Sequence, residues 1–208
     1  MGKRKNWDEI WEEYHGLNWL GRRLSSSQKK TVGKILSKIN LGISSKIIDM
    51  GCGKGFTLHH FRSLGYKNSI GVDKSENSIR LCESLFGFRL GKDVFQMDCR
   101  KTDFKSGSFD LVFSEGMLEH FQDFSPFVKE MARLSGKYIL IFQPNPTSLF
   151  GEAKRFFQRI GVMSWEFEFF YDKYSYMETF ENFGFRLVDS GGINLGEEMW
   201  LLFEKLIK

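Results

Sequence analysis

The chain has 208 residues, 41% hydrophobic and 27% charged, which is enough for one globular domain with a real core. No apolar run approaches the roughly 18 residues that a membrane span needs, and the basic start Met1-Gly2-Lys3-Arg4-Lys5 is not followed by the apolar stretch of a secretory signal. The net charge is +4, and the cysteines at 52, 82 and 99 form no C-x-x-C pair, so a reducing, cytoplasmic setting is expected, without a zinc site or a disulfide framework.

Residues 7–38 carry helical periodicity, with Trp7, Ile10, Trp11 and Tyr14 before Gly16 and Val32, Ile35, Leu36 and Ile39 after it. Asn40-Leu41-Gly42 closes this run. Residues 21–38 hold Arg22, Arg23, Lys29, Lys30, Lys34 and Lys38 and no acid. That is either a solvated helix face or a surface for an anionic partner.

A strand is expected over 46–50, then a helix over 55–64 ending at Gly65, and a second strand over 69–73. Ser75 caps a helix over 75–86 that stops at Gly87. A third strand is expected over 92–97, a fourth over 109–114, a helix near 124–134 ending before Gly136, and a fifth strand over 138–142. Strands alternating with helices argue for a parallel sheet covered on both faces. The last third differs. Residues 149–185 carry 13 aromatics. Residues 185–189, the turn Gly191-Gly192 and residues 199–205 form a final strand pair.

The chemistry concentrates at the end of the first strand, in Asp49-Met50-Gly51-Cys52-Gly53-Lys54-Gly55-Phe56. Glycines there let backbone approach a ligand, and Asp73, 20 residues beyond Gly53, stands where an acid takes ribose hydroxyls in a doubly wound sheet. A dinucleotide site wants glycine at the first, third and sixth loop positions, so that a pyrophosphate meets a helix N-terminus. Here the third glycine comes at position five, and position six is Phe56. Asp49 would oppose a pyrophosphate but suits a ligand bearing an ammonium group.

D-x-G-x-G-x-G resembles motif I of the class I S-adenosylmethionine-dependent methyltransferases. From about residue 44 onward the order of motifs is similar to small stand-alone members such as the quinone-biosynthesis methylases. In that resemblance Asp73 is the ribose-binding acid, and Asp98 in Gln96-Met97-Asp98-Cys99 takes the adenine amino group. Residues 108–114 match motif IV, and Met117-Leu118-Glu119-His120-Phe121 resembles an L-E-H element frequent in the family. The implied fold is a seven-stranded, mostly parallel α/β sheet of order 3-2-1-4-5-7-6 with strand seven antiparallel. The implied organisation is one domain: a helical cap at 1–43, a cofactor core at 44–143, an aromatic acceptor-side insertion at 144–184 and a strand pair at 185–208.

The implied cofactor is S-adenosyl-L-methionine, contacted by Asp49, Gly51, Cys52, Gly53, Gly55, Asp73, Lys74, Met97, Asp98, Cys99, Ser114, Glu115 and Gly116. Met97, Cys99 and Leu118 would supply the apolar slot for adenine, and Glu115 would line the methionine end. His120 is the candidate base or orienting group, needed only if the acceptor must lose a proton. His59 and His60 are read as structural, and the cysteines as small residues rather than nucleophiles. Phe150, Phe156, Trp165, Phe169, Phe170, Tyr171 and Tyr174 are candidates to line an acceptor pocket, to pack in the core or to make a homodimer contact. Trp11, Tyr14 and Trp19 are candidates for a second lid.

The leading reading is methylation of a small molecule, with no nucleic-acid partner and no metal. RNA or protein methylation is the alternative that the basic stretch supports, and a non-catalytic cofactor-binding module is the third. Amino methylation of DNA bases typically uses D/N-P-P-aromatic after strand four, where this chain has Ser114-Glu115-Gly116-Met117.

Overall fold

A computed structural model describes residues 26–149, 151, 152, 156, 160 and 169–206. Of the expected helical run over 7–38, residues 7–25, with Trp11, Tyr14, Trp19, Arg22 and Arg23, lie outside them, as do Phe150 and Trp165. The chain divides into two compact units, residues 1–99 and 100–208.

In the first unit, α1 (Ser26–Lys38) buries Val32, Ile35 and Leu36, which share one side of the helix by their spacing of three and four. Lys29, Lys30, Lys34 and Lys38 are exposed, as on a solvated face. Strand β1 (Ile47–Met50) is buried at all four positions, the pattern of an interior parallel strand. Full burial of Ile47, Ile48 and Met50 stabilises the fold by about 1.5–3 kcal/mol each. Asp49 is buried among them, a polar exception in an apolar strand.

Helix α2 (Phe56–Ser63) follows the glycine turn. β1 pairs in parallel with β2 (Ser69–Asp73), with Ile48 opposite Ile70. Helix α3 (Glu76–Phe86) starts where Ser75 Oγ accepts from Ser78 N, and ends at Gly87, whose φ of 67° is left-handed. Strand β3 (Val94–Gln96) pairs in parallel with β2 and is shorter than expected. Asp93 just before it accepts from Arg62 Nη2 at 3.0 Å, which ties the end of α2 to the start of β3.

In the second unit, β4 (Phe109–Glu115) pairs in parallel with β5 (Ser135–Pro144). Between them lie a 3-10 turn (Leu118–His120) and α4 (Ser125–Leu134), with Pro126 in the first helical turn. α4 ends before Gly136, as expected, but β5 starts at once, at Ser135 rather than at 138, so Gly136 is a strand residue whose side chain, if it had one, would meet Gly107 O at 3.2 Å. Glu130, buried on α4, accepts from Thr102 N at 2.7 Å, Thr102 Oγ1 at 2.7 Å and Arg133 Nη2 at 2.6 Å. Burial alone would raise its carboxyl, but Arg133 and Thr102 outweigh that and hold it below the ordinary range.

Helix α5 (Lys173–Asn182) lies inside the stretch that aromatic content alone had marked. Asp172 caps it by accepting from Ser175 N at 2.9 Å. Strands β6 (Phe185–Ile193) and β7 (Glu198–Lys205) form an antiparallel hairpin, and β7 also pairs antiparallel with β5. The expected turn at Gly191-Gly192 is a correction. Both glycines are in β6, and the chain reverses at 194–196, where Asn194, Leu195 and Gly196 all have positive φ. Gly191 lacks a side chain because a Cβ there would lie 2.8 Å from Nε1 of Trp200, its cross-strand partner.

The seven-stranded sheet has the order β3-β2-β1-β4-β5-β7-β6, as expected from the motif order, with β7 antiparallel to its neighbours. No described helix is long and apolar enough to cross a membrane.

Candidate active site

The glycine turn is built by tertiary hydrogen bonds as well as by composition. Gly51, Gly53 and Gly55 all have positive φ, at 77°, 50° and 78°. That run keeps the turn tight in a region side chains disfavour. Gly51 N and Cys52 N both donate to Val72 O, at 2.8 and 3.0 Å, so the turn is sewn to the neighbouring strand. Gly55 also has no room for a side chain, since a Cβ would come 2.9 Å from Cys82 Sγ.

Asp73 closes the turn. Its Oδ2 accepts from Gly53 N at 2.9 Å and its Oδ1 from Ser75 N at 2.9 Å. One carboxylate thus joins the glycine turn to the start of α3. Asp73 is only half-buried. Asp98 lies beyond β3 with its side chain 31% exposed, and Oδ2 is 3.7 Å from Lys74 Nζ. Met97 N donates to Asp73 O at 3.0 Å, so the 97–99 segment is anchored to the end of β2.

The cysteines sit in buried surroundings. Cys52, Cys82 and Cys99 are free and buried. The neighbouring Cys82 thiol and burial push the Cys52 thiol well up, and burial with the nearby Asp73 charge pushes Cys99 up. Cys82 Sγ donates to Gly53 O at 3.1 Å, a further brace on the turn. His60 Nε2 lies 3.2 Å from Lys29 O and His59 stacks on Phe86 at 4.5 Å, both packing roles.

In the second unit, Ser114 is buried and Glu115 half-buried at the end of β4. Gly116, with φ of 61°, donates to Phe142 O at 3.0 Å. His120 ends the 3-10 turn with its side chain 20% exposed, and its Nε2 is 3.9 Å from Glu119 Oε1. Glu119 itself is only 3% exposed.

Around that turn the structure gathers Phe169 and Tyr171 with Phe124, Tyr176 and Gln143, three residues that sequence reasoning gave no site role. Phe169 N donates to Glu119 O at 2.6 Å, and Tyr171 Oη donates to Gln122 O at 2.7 Å. Phe124 packs edge-on against Tyr171 at 4.7 Å and tilted against Tyr176 at 5.1 Å. Tyr176 Oη donates to Oε1 of Gln143, which is buried one residue before the end of β5. A glutamine followed by proline where an apolar strand ends was the signal available for Gln143. Of the expected pocket aromatics, Phe169 and Tyr171 join this cluster. Tyr174 is 73% exposed and Phe156 58% exposed. On α5 the inward side belongs to Tyr176 and Phe180, four residues apart, and Tyr174 falls on the other side. Among the described residues no group of three His, Cys, Asp or Glu is placed to hold a metal ion.

Residues 48–141 match the family model described as a methyltransferase domain. That match spans 94 residues, a little under half of the chain, and makes this stretch similar to a methyltransferase domain. It is 29% identical over 133 residues to ajmaline N-methyltransferase of Rauvolfia serpentina, covering 57% of this chain and 46% of that protein. It is 32% identical over 106 residues to the chloroplastic tocopherol O-methyltransferase of Arabidopsis thaliana, covering 46% of this chain and 29% of that one. The chain therefore spans less than half the length of these curated relatives. Among solved structures, magnesium protoporphyrin IX methyltransferase from Synechocystis PCC 6803, with S-adenosylhomocysteine bound, superposes with a TM-score of 0.69 at 15% identity. That likeness covers 95% of this chain and 93% of the other, and it is a likeness of fold.

Proposed function

We propose that the protein is a methyltransferase that moves the methyl group of S-adenosylmethionine to a small-molecule acceptor. The observation that carries this reading is the Asp73 latch, 2.9 Å to Gly53 N on one oxygen and 2.9 Å to Ser75 N on the other. It holds the turn open-backed and presents a half-buried carboxylate for the ribose hydroxyls. The acids Asp49, Asp73 and Asp98 suit a ligand that carries a sulfonium and an ammonium, and they would repel a pyrophosphate. When bound, S-adenosylmethionine supplies a sulfonium methyl as the electrophile.

The chain's own residues do the rest. Asp73 accepts from the ribose hydroxyls, and Asp98 accepts from the adenine amine with Met97 and Cys99 against the ring. Lys74 screens Asp98, to which it is paired. Gly51, Cys52, Gly53 and Gly55 give backbone access, and Asp49 faces the ammonium directly or through bound amides. To Ser114, Glu115 and Gly116 we assign the amino-acid end. Much of the rate enhancement then comes from orientation and exclusion of water. His120 takes a proton from the acceptor where one must leave.

The ajmaline and tocopherol relatives support a small-molecule acceptor, since both names specify one. The exposed lysines of α1 behave as a solvated face, and residues 41–208 sum to a charge of −1, which offers a polyanion little beyond one helix. The domain organisation we propose is the one implied by the motifs, with a cap at 1–43 and the acceptor side at 144–184. The free thiols fit a reducing compartment, and we place the protein in the cytoplasm.

Calorimetry tests the core of this reading. S-Adenosylmethionine and S-adenosylhomocysteine should bind and NAD should not. Binding of NAD alone would sink the assignment. His120→Ala should lower turnover while cofactor affinity stays near wild type, and unchanged turnover would return His120 to a packing role.

A further inference from the structure

Gln143 is a buried polar side chain of which the described structure uses only one end. It is 1% exposed, and its Oε1 is engaged by Tyr176 Oη at 3.3 Å. Its Nε2 is buried and has no hydrogen-bond partner among the described residues. Buried amide donors are nearly always satisfied, so one that is not marks a place for a further hydrogen-bond acceptor.

Its surroundings limit what that partner can be. The Glu119 carboxylate is 3% exposed on the turn after β4. Tyr176, 1% exposed, is held in its protonated form, first by burial and then by the Glu119 charge nearby. Protonated, it donates to Gln143 Oε1, which leaves the amide NH₂ as the remaining donor. Phe124, Tyr171 and Phe169 supply apolar surface beside these groups. The group therefore offers one negative charge, one amide donor and aromatic walls. An anionic ligand would meet Glu119 with like charge in a dry setting, where repulsion is least screened. A cation beside a hydrogen-bond acceptor satisfies both.

We propose that Glu119, Gln143 and Tyr176 form the acceptor-recognition site, and that it takes a cationic amine with a neighbouring hydroxyl, a 2-amino alcohol in the simplest case. The inference rests on the methyltransferase reading above. Glu119 accepts from the ammonium, Gln143 Nε2 donates to the hydroxyl oxygen, and Tyr176 fixes the amide orientation. The half-buried 169–171 segment covers the site. It is tied down by Phe169 N to Glu119 O and by Tyr171 Oη to Phe121 O and Gln122 O, so entry exchanges a few hydrogen bonds rather than core packing.

The test uses the full chain saturated with S-adenosylhomocysteine. It is titrated with 2-amino-1-phenylethanol, with 2-phenylethylamine, which lacks the hydroxyl, and with 3-hydroxy-3-phenylpropionate, which reverses the charge. The amino alcohol should bind about fivefold more tightly than the plain amine, as for one neutral hydrogen bond, and at least about tenfold more tightly than the acid. Gln143→Leu should erase the first preference and Glu119→Gln the second, each with S-adenosylhomocysteine affinity within about twofold of wild type. Should Gln143→Leu not fold, Gln143→Met carries the same expectation. Equal binding of all three probes, no binding of any, or wild-type selectivity in variants that still bind S-adenosylhomocysteine would overturn the proposal. Failure of wild-type protein to bind S-adenosylhomocysteine would instead remove the methyltransferase reading beneath it.

Discussion

The glycine turn of the first unit and the Glu119–Gln143–Tyr176 group of the second are both polar sites at strand ends, assembled in opposite ways. The turn draws its essential atoms from residues 49–55 and from Asp73, and its geometry is locked by backbone amides on Val72 O and on the Asp73 carboxylate. The other group takes one side chain from a 3-10 turn, one from β5 and one from α5, at positions 119, 143 and 176. Its geometry is held by side-chain packing. A site locked by backbone tolerates few substitutions in its loop. A site locked by side chains can change ligand by exchanging them, which is what a family with one cofactor and many acceptors requires.

The largest effect expected from this contrast is at Gly53. Gly53→Val should abolish measurable S-adenosylmethionine binding while circular dichroism still reports a folded protein. The residue sits at φ 50°, where a β-branched side chain is strained. Normal binding would show that the turn is not the cradle.

Next is a structural control in the second unit. Glu130→Ala should cost about 3 kcal/mol in urea unfolding, because Arg133 and the Thr102 amide lose their buried partner. Cofactor affinity should not follow. The Glu130 carboxyl is held below its ordinary value, so its stabilising contribution is fully present above the unfolded pKa. That contribution is lost as pH falls through the lower, folded value. Stability should therefore drop below about pH 4, and less steeply in Glu130→Gln. A pH profile identical in the variant would remove Glu130 from the account.

Asp73→Ala should weaken S-adenosylmethionine by at least about tenfold, through the loss of a charged contact of about 1.5–3 kcal/mol. Asp73→Asn should be milder, since one carbonyl can still accept from Gly53 N or Ser75 N. Equal loss in both would mean that charge, not the latch, carries the effect. The smallest change is Tyr176→Phe. It should cost about 1 kcal/mol of stability, the worth of one hydrogen bond, and leave cofactor affinity unchanged. A tenfold loss of cofactor affinity in that variant would break the separation between the two regions.

The sequence by itself determined the strand–helix alternation, the Ser75 cap, the stop at Gly87 and the glycine turn, because each depends on residues within a few positions of one another. The acid 20 residues on was legible for a related reason: one helix and one strand separate the ends of adjacent parallel strands by a nearly constant length. Only the tertiary structure decided that Gly191 and Gly192 belong to a strand. For Gly191 the reason is the Trp200 indole across the ladder, and for Gly192 the close approach of Gly196 Cα at 3.3 Å, while local turn propensity points the other way. Likewise, 13 aromatics in 149–185 announced burial but not which rings turn inward. That depends on α5 beginning at Asp172 and presenting Tyr176 and Phe180 on one side while Tyr174 meets solvent. Gln143 went without a role, and Glu119 was read only as part of the L-E-H element, for the same reason. A polar residue in an apolar run shows its purpose only when the neighbours that satisfy it, or do not, have been brought together from distant parts of the chain.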